Sequence, residues 1–156
     1  MPFRPTSRHP ARRRLYLAGQ AIEDFNDRGS AVNTLVGAGA IEAAMARWVL
    51  GGRIYGNGRR GLFLTRLKPP PPEIWEIRVT EHTPQARLFG RFAEPDTLIP
   101  TNLHTRGHLG KATSQAWAFA MASCARSWDR LFPNQPAFAG PSIHDYISEN
   151  CDDFPI

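Results

Sequence analysis

The sequence has little cysteine and no long apolar run, and each absence excludes a class of protein. Cys124 and Cys151 are the only cysteines among 156 residues. They are too few for a disulfide framework and lack the C-x-x-C spacing of redox and zinc motifs. No run of about 18 apolar residues predicts a transmembrane helix, and no apolar segment follows the basic N-terminal residues as in a secretory signal. We therefore expect a cytoplasmic protein with no membrane partner.

Lysine is also scarce, so arginine supplies nearly all of the positive charge. The formal net charge is +5, and it is unevenly distributed. Residues 1–78 hold 13 Lys and Arg against 6 Asp and Glu, whereas residues 79–156 hold 6 against 8. An arginine-rich half suits a polyanion, because guanidinium groups match phosphate oxygens. The alternative is that a GC-rich genome uses arginine where other genomes use lysine.

The central stretch, residues 62–111, predicts antiparallel strands that carry arginine. Residues 73–81 alternate, which predicts a strand with one buried face; one face holds Ile74, Glu76 and Arg78, and the other holds Trp75, Ile77 and Val79. Similar alternation predicts a second strand over residues 86–92 and a third over residues 97–101. The turn signal at residues 94–96 joins them. Three strands at this spacing form a β-meander.

Helical periodicity flanks the predicted meander on both sides. It predicts helices over residues 12–27 and 31–50 before the meander, the second with glycines that leave two shorter helices open. A long amphipathic helix over residues 112–132 and a short one over residues 142–150 follow. The predicted fold is α+β: an N-terminal helical hairpin packed on a small antiparallel meander, followed by the long helix and the short C-terminal helix. Residues 1–11 form a basic flexible arm, and residues 12–156 form one domain.

Residues 62–111 resemble the RelE/ParE/HigB superfamily of small toxins, especially its phage-related branch. The segment Ile74-Trp75-Glu76-Ile77-Arg78 is similar to the first meander strand of that family, and Ala86-Arg87-Leu88-Phe89 to the second. The resemblance implies cations that hold messenger RNA: Arg78 and Arg87 on strands, Arg106 and Lys111 after the third strand, and Arg66 and Lys68 before the first. Many family members also begin with a strand before the helices, and none is evident here. The gyrase-inhibiting branch shares the fold without the nuclease residues.

Residues 104–111 hold the densest cluster of catalytic residue types. RNA cleavage needs a base for the 2′-hydroxyl proton, cations for the scissile phosphate and a proton donor for the leaving 5′-oxygen. His104 and Lys111 suit the proton transfers, and Arg78 and Arg87 suit the phosphate. The alternative is a solvated loop that caps the next helix. His104 and His108 lack a third ligand, so we expect neither a metal nor a cofactor.

Further arginines are candidate nucleic-acid contacts. Three cations at the start of the first predicted helix oppose the helix dipole, which suggests a contact role, although a solvated basic arm is equally compatible. The glycine-rich stretch at residues 51–63 is either a mobile basic loop or a hairpin that turns at residues 56–58. The predicted nucleic-acid-binding residues are Arg12, Arg13, Arg14, Arg53, Arg59, Arg60, Arg66, Lys68 and Arg106.

Two functions fit these observations. The first is a RelE-like toxin that binds RNA or the ribosome and cleaves messenger RNA without a metal, with an antitoxin as its protein partner. The second is a non-enzymatic inhibitor borne by a phage or plasmid, of the anti-CRISPR or anti-restriction type. Such an inhibitor would bind a host protein or a nucleic-acid complex through its charged surfaces.

Overall fold

A computed structural model describes residues 1–6, 9–56, 62–68, 70–81 and 83–156. Within these ranges the strands are β1 (Arg14–Leu15), β2 (Leu64–Arg66), β3 (Trp75–Val79), β4 (Ala86–Glu94) and β5 (Thr97–Thr105). The helices are α1 (Gly19–Asn26), α2 (Ala31–Leu35), α3 (Ala38–Val49), α4 (Arg106–Leu109), α5 (Gln115–Leu131) and α6 (Ile143–Tyr146). None of the described helices is both long and apolar enough to span a bilayer.

The strands form one mixed sheet in the order β1-β5-β4-β3-β2. Strands β2 to β5 pair antiparallel, and β1 pairs parallel to β5. The predicted meander corresponds to β3, β4 and β5, but these strands are the centre of a larger sheet. The chain has an α+β fold, but the predicted architecture, a helical hairpin on a three-stranded meander, is wrong.

The largest difference from the sequence prediction lies before α1. The helix predicted to begin at Arg12 begins at Gly19, and Arg14–Leu15 is a strand instead. The backbone N–H of Arg14 donates to the carbonyl of Asp96 at 2.8 Å, and that of Tyr16 donates to the carbonyl of Leu98 at 3.1 Å. These bonds use the open edge of β5, and such tertiary pairing outweighs a local helical periodicity.

The second predicted helix is divided at Gly37. This residue has φ +90° and separates α2 from α3. Because a positive φ favours glycine, the chain can turn here without side-chain strain. The side chain of Ser30 caps α2 by accepting from the N–H of Asn33. The two helices together cover one face of the sheet.

The sheet is covered on both faces, which the predicted one-sided strand did not anticipate. On one face, Trp75 and Phe92 belong to a large core with α1 to α3 and the C-terminal segment. Their ring centroids are 5.2 Å apart, and the buried Tyr146 lies 4.7 Å from Trp75. On the other face, Ile74 and Phe89 pack with the apolar stripe of α5. Every side chain of β3 except that of Arg78 is consequently buried.

A β-bulge sets the register of β4 and β5. Phe89 pairs with Asn102 but Gly90 pairs with Pro100, so β5 contributes one extra residue. A Cβ atom at Gly90 would lie 2.5 Å from the carbonyl oxygen of Ile99, which requires glycine at this close approach. Beyond the bulge the register brings Arg87 opposite His104.

Arg13 is fully buried and joins the two ends of the chain. Its guanidinium donates to the carbonyls of Gly52 at 2.9 Å and Glu149 at 2.7 Å. It also lies 3.8 Å from the carboxylate of Asp96 and 5.1 Å from the ring centroid of Trp48. Burial lowers the pKa of Arg13, and Asp96 opposes that effect. Because these partners surround the buried Arg13 side chain, it is not available for the nucleic-acid contact predicted from the sequence.

We expect Arg13→Met to lower the free energy of unfolding by about 3 kcal/mol, because buried carbonyls and Asp96 lose their partner. The matched control is Arg12→Met at the neighbouring exposed arginine, whose ion pair should contribute less than about 1 kcal/mol. Urea denaturation of both variants measures the difference. Equal losses in the two variants would contradict the structural role of Arg13.

Candidate functional site

Three of the four predicted catalytic residues lie side by side across the sheet. Arg78 on β3 pairs with Arg87 on β4, and Arg87 pairs with His104 on β5. Directly opposed residues of antiparallel strands point to the same face. We call Arg78, Arg87 and His104 the transverse row. The strands thus assemble a site from residues up to 26 positions apart in the sequence.

A buried carboxylate holds the two arginines of the transverse row. Glu76 has no exposed surface; its Oε1 accepts from Nε of Arg78 at 2.6 Å, and its Oε2 lies 3.4 Å from Nε of Arg87. Burial lowers the pKa of Arg87, and the negative charge of Glu76 opposes this. The sequence analysis placed Glu76 on the same strand face as Arg78 but gave it no role. The sequence feature that could have revealed this role is a charged residue in the middle of an otherwise apolar strand.

The two arginines differ in their access to solvent. The side chain of Arg78 is 29% exposed, whereas that of Arg87 is 7% exposed. Arg87 also donates to the carbonyl of Ala86 and to the side-chain oxygen of Gln85. Arg78 can therefore reach a ligand directly, while Arg87 is positioned to support Arg78 and Glu76.

His104 is the partly buried end of the transverse row. Its ring is stacked on that of His108, with centroids 5.9 Å apart and planes 15° apart. Burial, reinforced by His108, lowers the pKa of His104 to about 4. The imidazole is consequently neutral at pH 7, so it is poorly suited to donate a proton there. The exposed His108 is the better placed of the two for proton transfer, and the sequence analysis considered it only as a metal ligand.

Residues 104–111 are not the loop that the sequence analysis proposed as an alternative. His104 ends the row on β5, and Arg106 begins α4, which Thr105 caps by accepting from the N–H of His108. Arg106 donates to the carbonyl of Gly110 and lies 5.3 Å from the ring centroid of Trp117. Its charge also reaches Arg87, whose pKa it lowers. Lys111 is exposed and directly follows Gly110, whose carbonyl Arg106 contacts.

Of the other predicted nucleic-acid residues that the structure describes, five are paired with carboxylates elsewhere in the fold: Arg12, Arg13, Arg14, Arg53 and Arg66. Arg14 is beside Thr97 at the start of β5, and His104 is seven residues further along the strand. At a rise of about 3.3 Å per residue, roughly 20 Å separates them. Arg66 pairs with Glu73, and Lys68 is exposed. Arg59 and Arg60 lie outside the described residues.

Acidic side chains neutralise the exposed arginines near the chain ends. Arg12 pairs with Glu149 at 2.9 Å and Arg53 with Asp152 at 2.6 Å, so the acidic tail folds onto the basic half. Arg14 pairs with Glu94 at 2.8 Å. Next to Arg53, Ile54 pairs with Cys151. Residues 57–61, which include most of the turn of the hairpin considered for this stretch, lie outside the described residues. In the transverse row, Arg78 and Arg87 share the single carboxylate of Glu76.

Two further observations bear on the chemistry. In the described part of the chain, no group of three His, Cys, Asp or Glu residues could hold a metal ion. Cys124 is buried on α5, and burial raises its pKa to about 11, which keeps the thiol protonated at neutral pH.

Comparison with known proteins supplies no relative from which a role could be transferred. No protein-family model, curated protein or solved structure matches this chain.

The low pKa of His104 should make stability depend on pH. At pH values between the ordinary histidine pKa of 6.5 and the lowered pKa of about 4, residue 104 binds more protons in the unfolded chain than in the folded protein. The free energy of unfolding therefore falls as the pH decreases through this range. We expect the free energy of unfolding of His104→Phe to decrease less over this pH range, by at most about 3 kcal/mol. Urea unfolding at several pH values between 7 and 4 measures it. His144→Phe, at an exposed histidine, should keep the fall; an unchanged pH dependence in His104→Phe would contradict the assignment.

Proposed function

We propose that this chain is a RelE-like toxin that acts in the cytoplasm and cleaves messenger RNA at the ribosome without a metal. The observation that carries the proposal is the register of β3, β4 and β5, which brings Arg78, Arg87 and His104 together. Arg106 begins α4 directly after β5, and the exposed Lys111 follows that helix. A compact group of cations with adjacent imidazoles is suited to a phosphodiester.

The site suggests a division of roles among these residues. Arg78 and Arg106 hold the scissile phosphate, because guanidinium groups can bind two phosphate oxygens at once. His108 accepts the 2′-hydroxyl proton as the 2′-oxygen attacks phosphorus and the bond to the 5′-oxygen breaks. Lys111 gives a proton to that leaving oxygen. Arg87 acts as a positioning residue, since it contacts Glu76 and is itself buried.

The N-terminal strand also supports the resemblance on which the proposal partly rests. Members of the RelE/ParE/HigB superfamily commonly begin with a strand before their helices, which the sequence did not reveal here. In this chain β1, Arg14–Leu15, precedes α1 and pairs with β5. This agreement concerns topology, and the transverse row remains the basis of the proposed chemistry.

A second candidate is the non-enzymatic inhibitor, and an exposed aromatic residue favours it. Phe119 on α5 is 68% exposed, and the guanidinium of Arg126 lies 5.6 Å from its ring centroid. Aromatic and arginine side chains frequently dominate protein–protein contacts. Under this alternative the outer face of α5 would bind a host protein and the transverse row would hold the sheet together.

Controlled expression in bacteria distinguishes the two candidates. We expect rapid growth arrest with new RNA 5′ ends inside translated messages. The variants Arg78→Ala, Arg106→Ala and Lys111→Ala should each lower cleavage about ten- to a hundredfold, because a charge-assisted contact to phosphate is lost. Arg126→Ala removes an exposed arginine from α5 and should leave cleavage unchanged.

The opposite results would favour the second candidate. Normal growth with intact RNA would contradict the toxin proposal. Arrest without RNA cuts that is relieved by Arg126→Ala, and not by Lys111→Ala, would assign the activity to the outer face of α5. Circular dichroism of each purified variant shows whether a loss of activity reflects a loss of folding.

A further inference from the structure

A cleft opens next to the transverse row, at the edge of β5. Strand β1 pairs only with Thr97 and Leu98, so the later part of this edge faces helices α1 and α2 instead of another strand. The cleft has a volume of about 380 Å³, at the lower end of the range for small-molecule sites. The lining residues that matter here are Gln20, Asp24, Val32, Leu35, His104 and His108.

One end of the cleft presents a carboxylate on a rigid support. Oδ2 of Asp24 accepts from the side-chain amide of Gln20 at 2.9 Å. The carbonyl of Asp24 accepts from the side chains of Ser30 at 2.8 Å and Asn33 at 2.9 Å. Partial burial raises the pKa of Asp24, and no cation of the described residues is among the groups that shift it. Its carboxylate is therefore oriented by neighbours and keeps acceptor capacity for a ligand.

The rest of the cleft can accommodate a flat ring. Val32 is buried, whereas Leu35 is 57% exposed, so α2 gives the cleft an apolar side. The exposed ring of His108, stacked on that of His104, also lines the cleft. Aromatic and apolar side chains on both sides of a narrow cleft are the usual environment of an unstacked nucleobase.

We propose that this cleft binds one base of the RNA and selects guanine through Asp24. Guanine is the base whose Watson–Crick edge carries two adjacent donors, N1–H and N2–H, and a carboxylate can accept both. Adenine presents an acceptor at N1, which the carboxylate disfavours. Uracil and cytosine each present a single donor group on that edge.

The position of the histidines joins this base site to the proposed chemistry. His104 lines the cleft and is also the end member of the transverse row. A nucleotide whose base occupies the cleft would therefore place a neighbouring phosphate beside the cations of β3 and α4. The inference rests on the proposed function, because it assigns the base preference of that same RNA site.

Fluorescence anisotropy with two short labelled RNAs tests the inference at pH 7.5. The RNAs are uridine oligomers that carry a single central guanine or a single central adenine. We expect the guanine oligomer to bind at least about tenfold more tightly. Asp24→Asn should abolish this preference while leaving the affinity for the adenine oligomer nearly unchanged. Glu23→Gln makes the same change of charge one residue away, outside this cleft, and should keep the preference.

The outcomes separate this inference from the proposed cleavage. Equal binding of the two oligomers, or a preference that persists in Asp24→Asn with native circular dichroism, would overturn the base site. A preference lost only in Asp24→Asn supports it, even if expression in bacteria produces no RNA cuts. Cleavage in bacteria at positions without any base preference would retain the toxin proposal and contradict the guanine site.

Discussion

The arrangement of the site depends on one buried interaction, the contact of Glu76 with two arginines. Arg78 and Arg87 are directly opposed on β3 and β4, where like charges destabilise a sheet. Glu76 lies between them without exposed surface: its Oε1 accepts a hydrogen bond from Arg78, and its Oε2 forms an ion pair with Arg87 at 3.4 Å. Opposite charges at this distance offset part of the cost of burying the carboxylate. Arg87 is almost fully buried with the carboxylate, whereas the side chain of Arg78 is 29% exposed. The carboxylate thereby allows cations to be concentrated at one end of the sheet.

Electrostatic pairing elsewhere in the molecule makes that concentration distinctive. The sequence divides into a basic and an acidic half, and the fold brings the halves together through Arg12–Glu149 and Arg53–Asp152. Arg13 is enclosed by backbone carbonyls and an aromatic ring. Much of the arginine surplus is therefore used to attach the chain ends to each other. Arg106 of α4 and Arg78 are partly exposed, and His104, at the end of the transverse row, lines a cleft of about 380 Å³.

Local patterns predicted those elements whose sequence repeats apolar residues at a single clear period. The alternation of residues 73–81 and 86–92 corresponds to β3 and β4, and the apolar stripe of residues 112–132 corresponds to α5. The helix predicted from Arg12 was wrong at its start because β5 offers hydrogen bonds to that segment. Strand β1 contains two residues, so no periodicity could reveal it. The covering of both sheet faces was also missed, since Glu76 and Arg78 interrupt the apolar pattern on one side.

The sequence by itself determined the kinds of residue available: an arginine-rich chain, a strand with Glu76 and Arg78, and a histidine pair before Lys111. The tertiary structure decided which of them meet. Strand register aligned Arg78, Arg87 and His104, and burial left Arg87 as a support while it kept His104 neutral. It also placed Asp24 of α1 at the edge of β5. The physical reason is that pairing and desolvation involve partners far apart in the chain, whereas periodicity reports only on neighbours.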